Sequence, residues 1–222
     1  MPVARRARPR PSEIPGAEVY LPDVHTLPVL RAAVQECRGC PLYKGATQAV
    51  FGEGPASARV MMIGEVPGDR EDRAGQPFVG PAGQLLDDAL ELAGIARDDV
   101  YVTNAVKHFK YTLRGKRRIH DKPTRYETEA CLPWLGSELE AVDPEVVVLL
   151  GATAAQALLG RAFRVTRSRG IDVASEHPIG NAKHVLATVH PASVLRAPDD
   201  EARRAAREEF FADLAIVGRL LR

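Results

Sequence analysis

Four stretches of the chain are apolar without alternation, and each runs into a polar loop. Residues 59–63 (RVMMI) lead into GEVPGD, and 100–102 (VYV) into Thr103 and Asn104. Residues 145–150 (EVVVLL) lead into Gly151, and 184–189 (HVLATV) into His190 and Pro191. Short β-branched runs of this kind are expected of parallel strands buried on both faces. Helical spacing marks 27–37 (LPVLRAAVQEC), 83–93 (GQLLDDALELA, stopped by Gly94) and 153–159. It also marks 125–142, through Tyr126, Ala130, Trp134, Leu135 and Leu139, and 201–221, through Phe210, Phe211, Leu214 and Val217. Strand and helix alternate, which predicts an α/β protein with a mostly parallel sheet between helices. No internal repeat or second-domain boundary interrupts the pattern.

Length and composition agree with this. The 222 residues suffice for one sizeable domain, and 45% hydrophobic with 27% charged residues is ordinary for a globular chain. No apolar run reaches membrane-spanning length, and the Arg- and Pro-rich start lacks a secretory apolar segment. An intracellular monomer without a membrane partner is expected, with residues 1–25 as a disordered basic arm and 26–222 as the domain.

Net charge is only +1, so the distribution of charge matters more than its sum. Lys107, Lys110, Arg114, Lys116, Arg117, Arg118, Lys122 and Arg125 face one acid, Asp121, within nineteen residues. This segment reads either as a solvated loop or as a phosphate-binding surface, which salt dependence would separate.

Chemistry is expected where the strands end, because ligands of open parallel sheets sit outside the carboxyl ends. Glu65, Asn104 and His190 each follow a different strand. Glu65 stands in a Gly/Pro turn that is either a plain strand-to-helix connection or a loop whose backbone N–H groups and carboxylate meet a ligand. Phe78, in QPFVGPAG, is either core or a platform for a flat ring. Asn104 offers a donor and an acceptor. His190 precedes a proline, as many structural turn histidines do. Their convergence on one rim outweighs each residue alone.

Three cysteines cannot complete a disulfide framework. Cys37 and Cys40 form a C-x-x-C pair and Cys131 lies far downstream, so a metal or cluster site with a fourth ligand is the better reading.

GEVPGDRED (64–72), QPFVGPAGQLLD (76–87), YVTNAVKHFK (101–110), VVVLLGATAAQALLG (146–160) and VHPASVLR (189–196) resemble the family 4 uracil-DNA glycosylases. KRRIH (116–120) resembles the covalently cross-linking UdgX subgroup of that family. The resemblance covers roughly residues 36–196 and implies a three-layer α/β/α fold with a four-stranded parallel sheet. It also implies a [4Fe–4S] cluster held by Cys37, Cys40, Cys131 and, in place of a fourth cysteine, His108. On ligand chemistry alone, three thiolates and an imidazole would equally suit structural zinc.

For this family the expected partner is uracil-containing DNA, single-stranded and, in addition, duplex. Gly64, Val66, Asp69, Asp72, Phe78, Asn104 and His190 are then expected to bind the substrate, and Lys116, Arg117 and Arg118 the DNA. One Asn pairs with uracil at two points and meets two mismatches with cytosine. His190 would donate to the uracil carbonyl at position 2 as charge develops there. His120 and Glu65 are the expected catalytic pair, with His120 attacking C1′ of the sugar and Glu65 hydrogen-bonded to its ring. Turnover without an adduct is the first alternative. A non-catalytic metal-bound nucleic-acid module is the second. The subgroup reads GEQPG where this chain has Val66, so any hydrogen bond from that glutamine side chain is missing here.

Overall fold

A computed structural model describes residues 15–222. Four strands, β1 (Val60–Gly64), β2 (Val100–Asn104), β5 (Val146–Leu150) and β6 (His184–Thr188), form one parallel sheet in the order β2-β1-β5-β6. Between them in sequence, β3 (Tyr111–Arg114) and β4 (Arg117–His120) form a separate antiparallel hairpin. The hairpin was expected as a basic loop. Its residues are mostly exposed and four of the ten are charged, so no alternation of buried positions announces it.

The sheet is covered on both faces, and the alternation of side chains along each strand sorts the core into two clusters. Met61, Ile63, Tyr101, Val147 and Leu149 face α1 (Leu27–Ala33), α4 (Arg125–Val142) and α5 (Ala152–Leu159). Val60, Met62, Val100, Val102 and Val148 face α3 (Pro81–Ala93) and α8 (Asp200–Leu220). The α/β/α expectation holds. Three short helices escaped the periodicity argument: α2 (Asp69–Ala74), α6 (Val165–Ser168) and α7 (Pro191–Leu195). Each spans fewer than two turns, too short for an apolar stripe to show.

The first fourteen residues of the expected arm lie outside the described part. Its later residues do not all behave as an arm. Ala17 is fully buried and its N–H donates to the Ala130 carbonyl at 2.8 Å, while the Gly16 N–H donates to Gly39 at 3.1 Å. Small residues let this segment lie flat against α4, and charge composition alone conceals that. No helix among the described residues is long and apolar enough to cross a membrane.

Candidate functional site

After β1 the chain turns outward to the edge strand β2, and it later returns to the other side of β1 as β5 and β6. The reversal opens a crevice at the carboxyl ends. A cleft of about 200 Å3 lies there, lined by Glu65 and Val66 after β1, Asn104 at the end of β2, Phe78, His120 and His190. Sites for drug-sized molecules run to roughly 300–1,000 Å3, so this cleft suits one base better than a dinucleotide.

Asn104 is nearly buried, and its side chain makes no hydrogen bond among the described residues. A Cβ on Gly64 would stand 2.4 Å from Asn104 Oδ1 and 2.8 Å from Phe78 Cζ. Gly64 thus lies beneath the site, and only its missing side chain lets the amide and the aromatic ring come together. Phe78 occupies the left-handed region (φ 57), and the next turn can accommodate it because a Cβ on Gly83 would overlap the Phe78 carbonyl. A bulky residue held there is strained, a feature that concentrates at functional sites. Phe78 also packs on the α3 core, so both readings of it apply.

His190 caps α7: its Nδ1 accepts from the Ala192 N–H at 3.1 Å. That bond assigns the ring proton to Nε2, leaving a donor for the cleft. Burial, then the nearby Arg196 and His120, push the His190 pKa down to about 4, so the ring is a neutral donor at physiological pH. The Phe78 and His190 rings stand nearly parallel, 6.0 Å apart.

His120 reaches the same cleft from the hairpin. Burial lowers its pKa, Glu65 acts against that, and Arg196 adds to it. Its neutral ring makes no hydrogen bond among the described residues. The expected His120–Glu65 bond is not among them: Glu65 Oε1 is buried without any partner. Both groups line the cleft, and the Glu65 charge acts on the His120 ring.

Three expected contact residues go elsewhere. Pairing in the hairpin sets Tyr111 opposite His120 and Leu113 opposite Arg118, so His120 and Arg118 share one face. Arg118 Nη1 donates to Asp72 at 2.6 Å and its Nε to Asp69 at 2.5 Å, while the guanidinium lies 5.2 Å from both the Phe109 and Tyr111 ring centres. Asp72 is fully buried and also accepts from the Thr47 N–H and hydroxyl. Asp69, Asp72 and Arg118 thus pair with one another and clasp the hairpin to α2, outside the lining of the cleft. Lys116 and Arg117 stay exposed at the hairpin turn. Lys107, counted with the basic segment, is fully buried, and Lys110 pairs with Glu127.

The cleft also contains Pro67, Gly68, Glu71, Ala82, Ala192 and Arg196, none singled out from sequence. Glu71 and Arg196 lie within GEVPGDRED and VHPASVLR, and that membership was the available signal. Glu71 Oε1 accepts from the Gly80 N–H at 3.0 Å and so shapes the loop that carries Phe78.

Cys37, Cys40, Cys131 and His108 are all buried, and the three thiols are free. Trp134 Nε1 donates to Cys37 Sγ at 3.2 Å, and the Lys107 N–H to Cys131 Sγ at 3.3 Å. Burial raises Cys40 to about 11 and Cys131 to about 12, and lowers His108 to about 4. Such thiols call for a cationic centre to become thiolates, and the imidazole is already neutral. Among the described residues no three His, Cys, Asp or Glu close around one point as a single bound ion requires. Three thiols and an imidazole are a donor set that either a cluster or structural zinc accepts.

The family model for the uracil DNA glycosylase superfamily matches residues 51–215. The chain is 38% identical to the type-4 uracil-DNA glycosylase of Thermotoga maritima over 82% of its own length and 89% of that protein. It is 40% identical to the type-4 uracil-DNA glycosylase of Pyrobaculum aerophilum, over 84% and 90%. A DNA polymerase of Bacillus phage SP01 is 29% identical over 77% of the chain, but only 16% of the polymerase is involved.

Proposed function

The chain belongs to the uracil-DNA glycosylase superfamily and is a DNA glycosylase, and from that premise we propose how its cleft removes uracil and what becomes of the sugar. The base must leave the stack to reach the cleft. Asn104 then pairs with the uracil carbonyl at position 4 and the N–H at position 3. His190, donating through Nε2, meets the carbonyl at position 2. Cleavage sends the N1–C1′ electron pair into the ring, and a donor fixed at that carbonyl stabilises the charge as it develops. Glu65, one of whose oxygens has no partner among the described residues, would favour the cationic sugar by its charge.

His120 captures that sugar. A ring nitrogen lone pair forms the new bond to C1′ once the bond to uracil has broken. The resulting imidazolium loses the proton on its other nitrogen to water, or through water to Glu65, and the uracil anion takes up one proton. No water adds to the sugar, and a neutral alkylated imidazole is a poor leaving group. One observation carries this reading: His120 shares the cleft with Asn104, His190 and Glu65, with its ring neutral and unpartnered.

The likeness to type-4 enzymes favours a second reading, in which Glu65 activates a water and His120 is a bystander. Incubation with uracil-containing single-stranded DNA separates the two on a denaturing gel. Capture gives a protein–DNA band that survives boiling, and His120→Ser converts it to abasic product in molar excess. Wild-type turnover without such a band would leave the second reading.

Cys37, Cys40, His108 and Cys131 are the residues that would hold a [4Fe–4S] cluster. When bound, that group cross-links the segment after α1, the segment after β2 and α4, a structural contribution outside the bond-breaking chemistry. DNA is the proposed partner, met through the exposed Lys116 and Arg117.

A further inference from the structure

A buried charge pair that the proposed chemistry leaves unused lies directly behind the base-reading residue. Lys107 and Glu138 are both fully buried and joined by a short ion pair. The ammonium has three N–H donors, and three acceptors receive them: Glu138 Oε2, Thr103 Oγ1 at 2.8 Å and the Asn104 carbonyl at 2.7 Å. Glu138 Oε1 accepts from the Gly52 N–H at 3.0 Å and from the Tyr101 and Thr103 hydroxyls, each at 2.9 Å. No donor of the ammonium is left over.

Such a pair is a poor device for stability alone, because well-packed apolar residues often replace one without loss. Its position suggests another use. β2 is the edge strand of the sheet, paired with β1 on one side and, on the other, touched by an isolated antiparallel bridge from Glu53 to Val102. Tyr101 and Thr103 point to the α4 side, so Asn104, one residue on, presents its amide to the opposite face against Gly64 and Phe78. The network therefore grips the strand end from behind. It also reaches further: Glu138 and Cys131 lie two turns apart on α4, and the Lys107 N–H donates to Cys131 Sγ.

We infer that Lys107, held by Glu138, is a positioning residue for uracil recognition: it fixes the Asn104 carbonyl, and thereby the direction of the Asn104 amide, relative to the α4 segment that carries Cys131. This rests on the assignment of Asn104 as the reader of the base. Misplacement of a recognition group by an ångström costs up to about a hundredfold in rate.

The test uses the full-length protein as purified, with single-turnover excision from uracil-containing single-stranded DNA, binding to uracil-free DNA, and thermal melting. Lys107→Met combined with Glu138→Leu removes both charges, so a variant that still melts like the wild type separates placement from stability. The expected result is excision slowed about tenfold or more, with affinity for uracil-free DNA unchanged. Thr103→Val, nearly isosteric, removes one acceptor and decides the matter if the double variant does not fold; about threefold slower excision is expected. Wild-type excision by the folded double variant, or by Thr103→Val where the double variant does not fold, overturns the inference. Asn104→Ala is run beside them. If it excises uracil normally, the assignment of Asn104 fails instead, and the two failures are distinguishable.

Discussion

Arg118→Met removes the clasp that holds the His120 hairpin to α2, and its cost follows from burial. The Arg118 side chain is 14% exposed, Asp72 0% and Asp69 39%. A hydrogen bond to a buried charge contributes about 1.5–3 kcal/mol, and the exposed Asp69 bond adds no more than about 0.5 kcal/mol. Asp72 keeps its two Thr47 bonds, so it is not orphaned and the lower half of that range applies. Loss of stacking on Phe109 and Tyr111 adds about 0.5 kcal/mol. The substitution should therefore cost about 3 kcal/mol, and the hairpin, lying outside the main sheet, should bear it locally. At about 1.4 kcal/mol per tenfold, the open hairpin becomes roughly a hundredfold more populated. Hydrogen exchange of peptides covering 111–120 reads this directly, and those amides should exchange roughly a hundredfold faster while the β1 and β5 amides stay protected. Capture of DNA should slow with them, because His120 no longer waits in the cleft. Wild-type exchange in the hairpin together with wild-type capture would refute the clasp.

Gly64→Ala places a methyl 2.4 Å from Asn104 Oδ1, so excision should fall about a hundredfold with little change in affinity for uracil-free DNA; normal excision would contradict the placement. Capture needs a neutral His120, whose pKa burial lowers below the usual 6.5, so the acid loss of adduct formation should have its midpoint below 6.5. A midpoint above that value would count against it. Burial holds His190 neutral to about pH 4, whereas the unfolded chain protonates it near 6.5. The unfolded state therefore binds more protons in that window, and stability falls as pH drops through it. Denaturant titrations of His190→Asn should show a shallower fall there than the wild type. Cys131→Ser should abolish visible absorbance near about 400 nm, if a cluster is present, and lower the melting point; unchanged absorbance would remove Cys131 from the ligand set.

Much of this fold could be read before the structure because the four strands are apolar on both faces, and a buried parallel strand announces itself by composition. The rim was readable for a related reason: Glu65, Asn104 and His190 are polar residues at or just past the carboxyl ends of three of those strands. The hairpin was not. Its strands carry Arg114 and Arg117 in exposed positions beside the mostly covered Arg118, so charge hid the pairing, and the run read as either a solvated loop or a surface for phosphate. The ion pairs of Asp69 and Asp72 with Arg118 were not foreseen because they join residues more than forty positions apart, and no local pattern encodes such a pair. Lys107 shows the same limit more sharply: in sequence it is one more cation in a basic segment, yet a glutamate thirty-one residues away makes it buried. The ring tautomer of His190 depends on the turn of α7, and it too emerges only in three dimensions.

The most direct test of uracil excision with capture at His120 is a paired count on one reaction with uracil-containing single-stranded DNA. Free uracil is quantified by mass spectrometry, and the peptide containing His120 is mapped for a deoxyribose-linked adduct. The account predicts one uracil released per protein molecule and the adduct on His120 in equal amount. Uracil in molar excess with an unmodified peptide would contradict capture, and no uracil released at all would contradict the whole assignment.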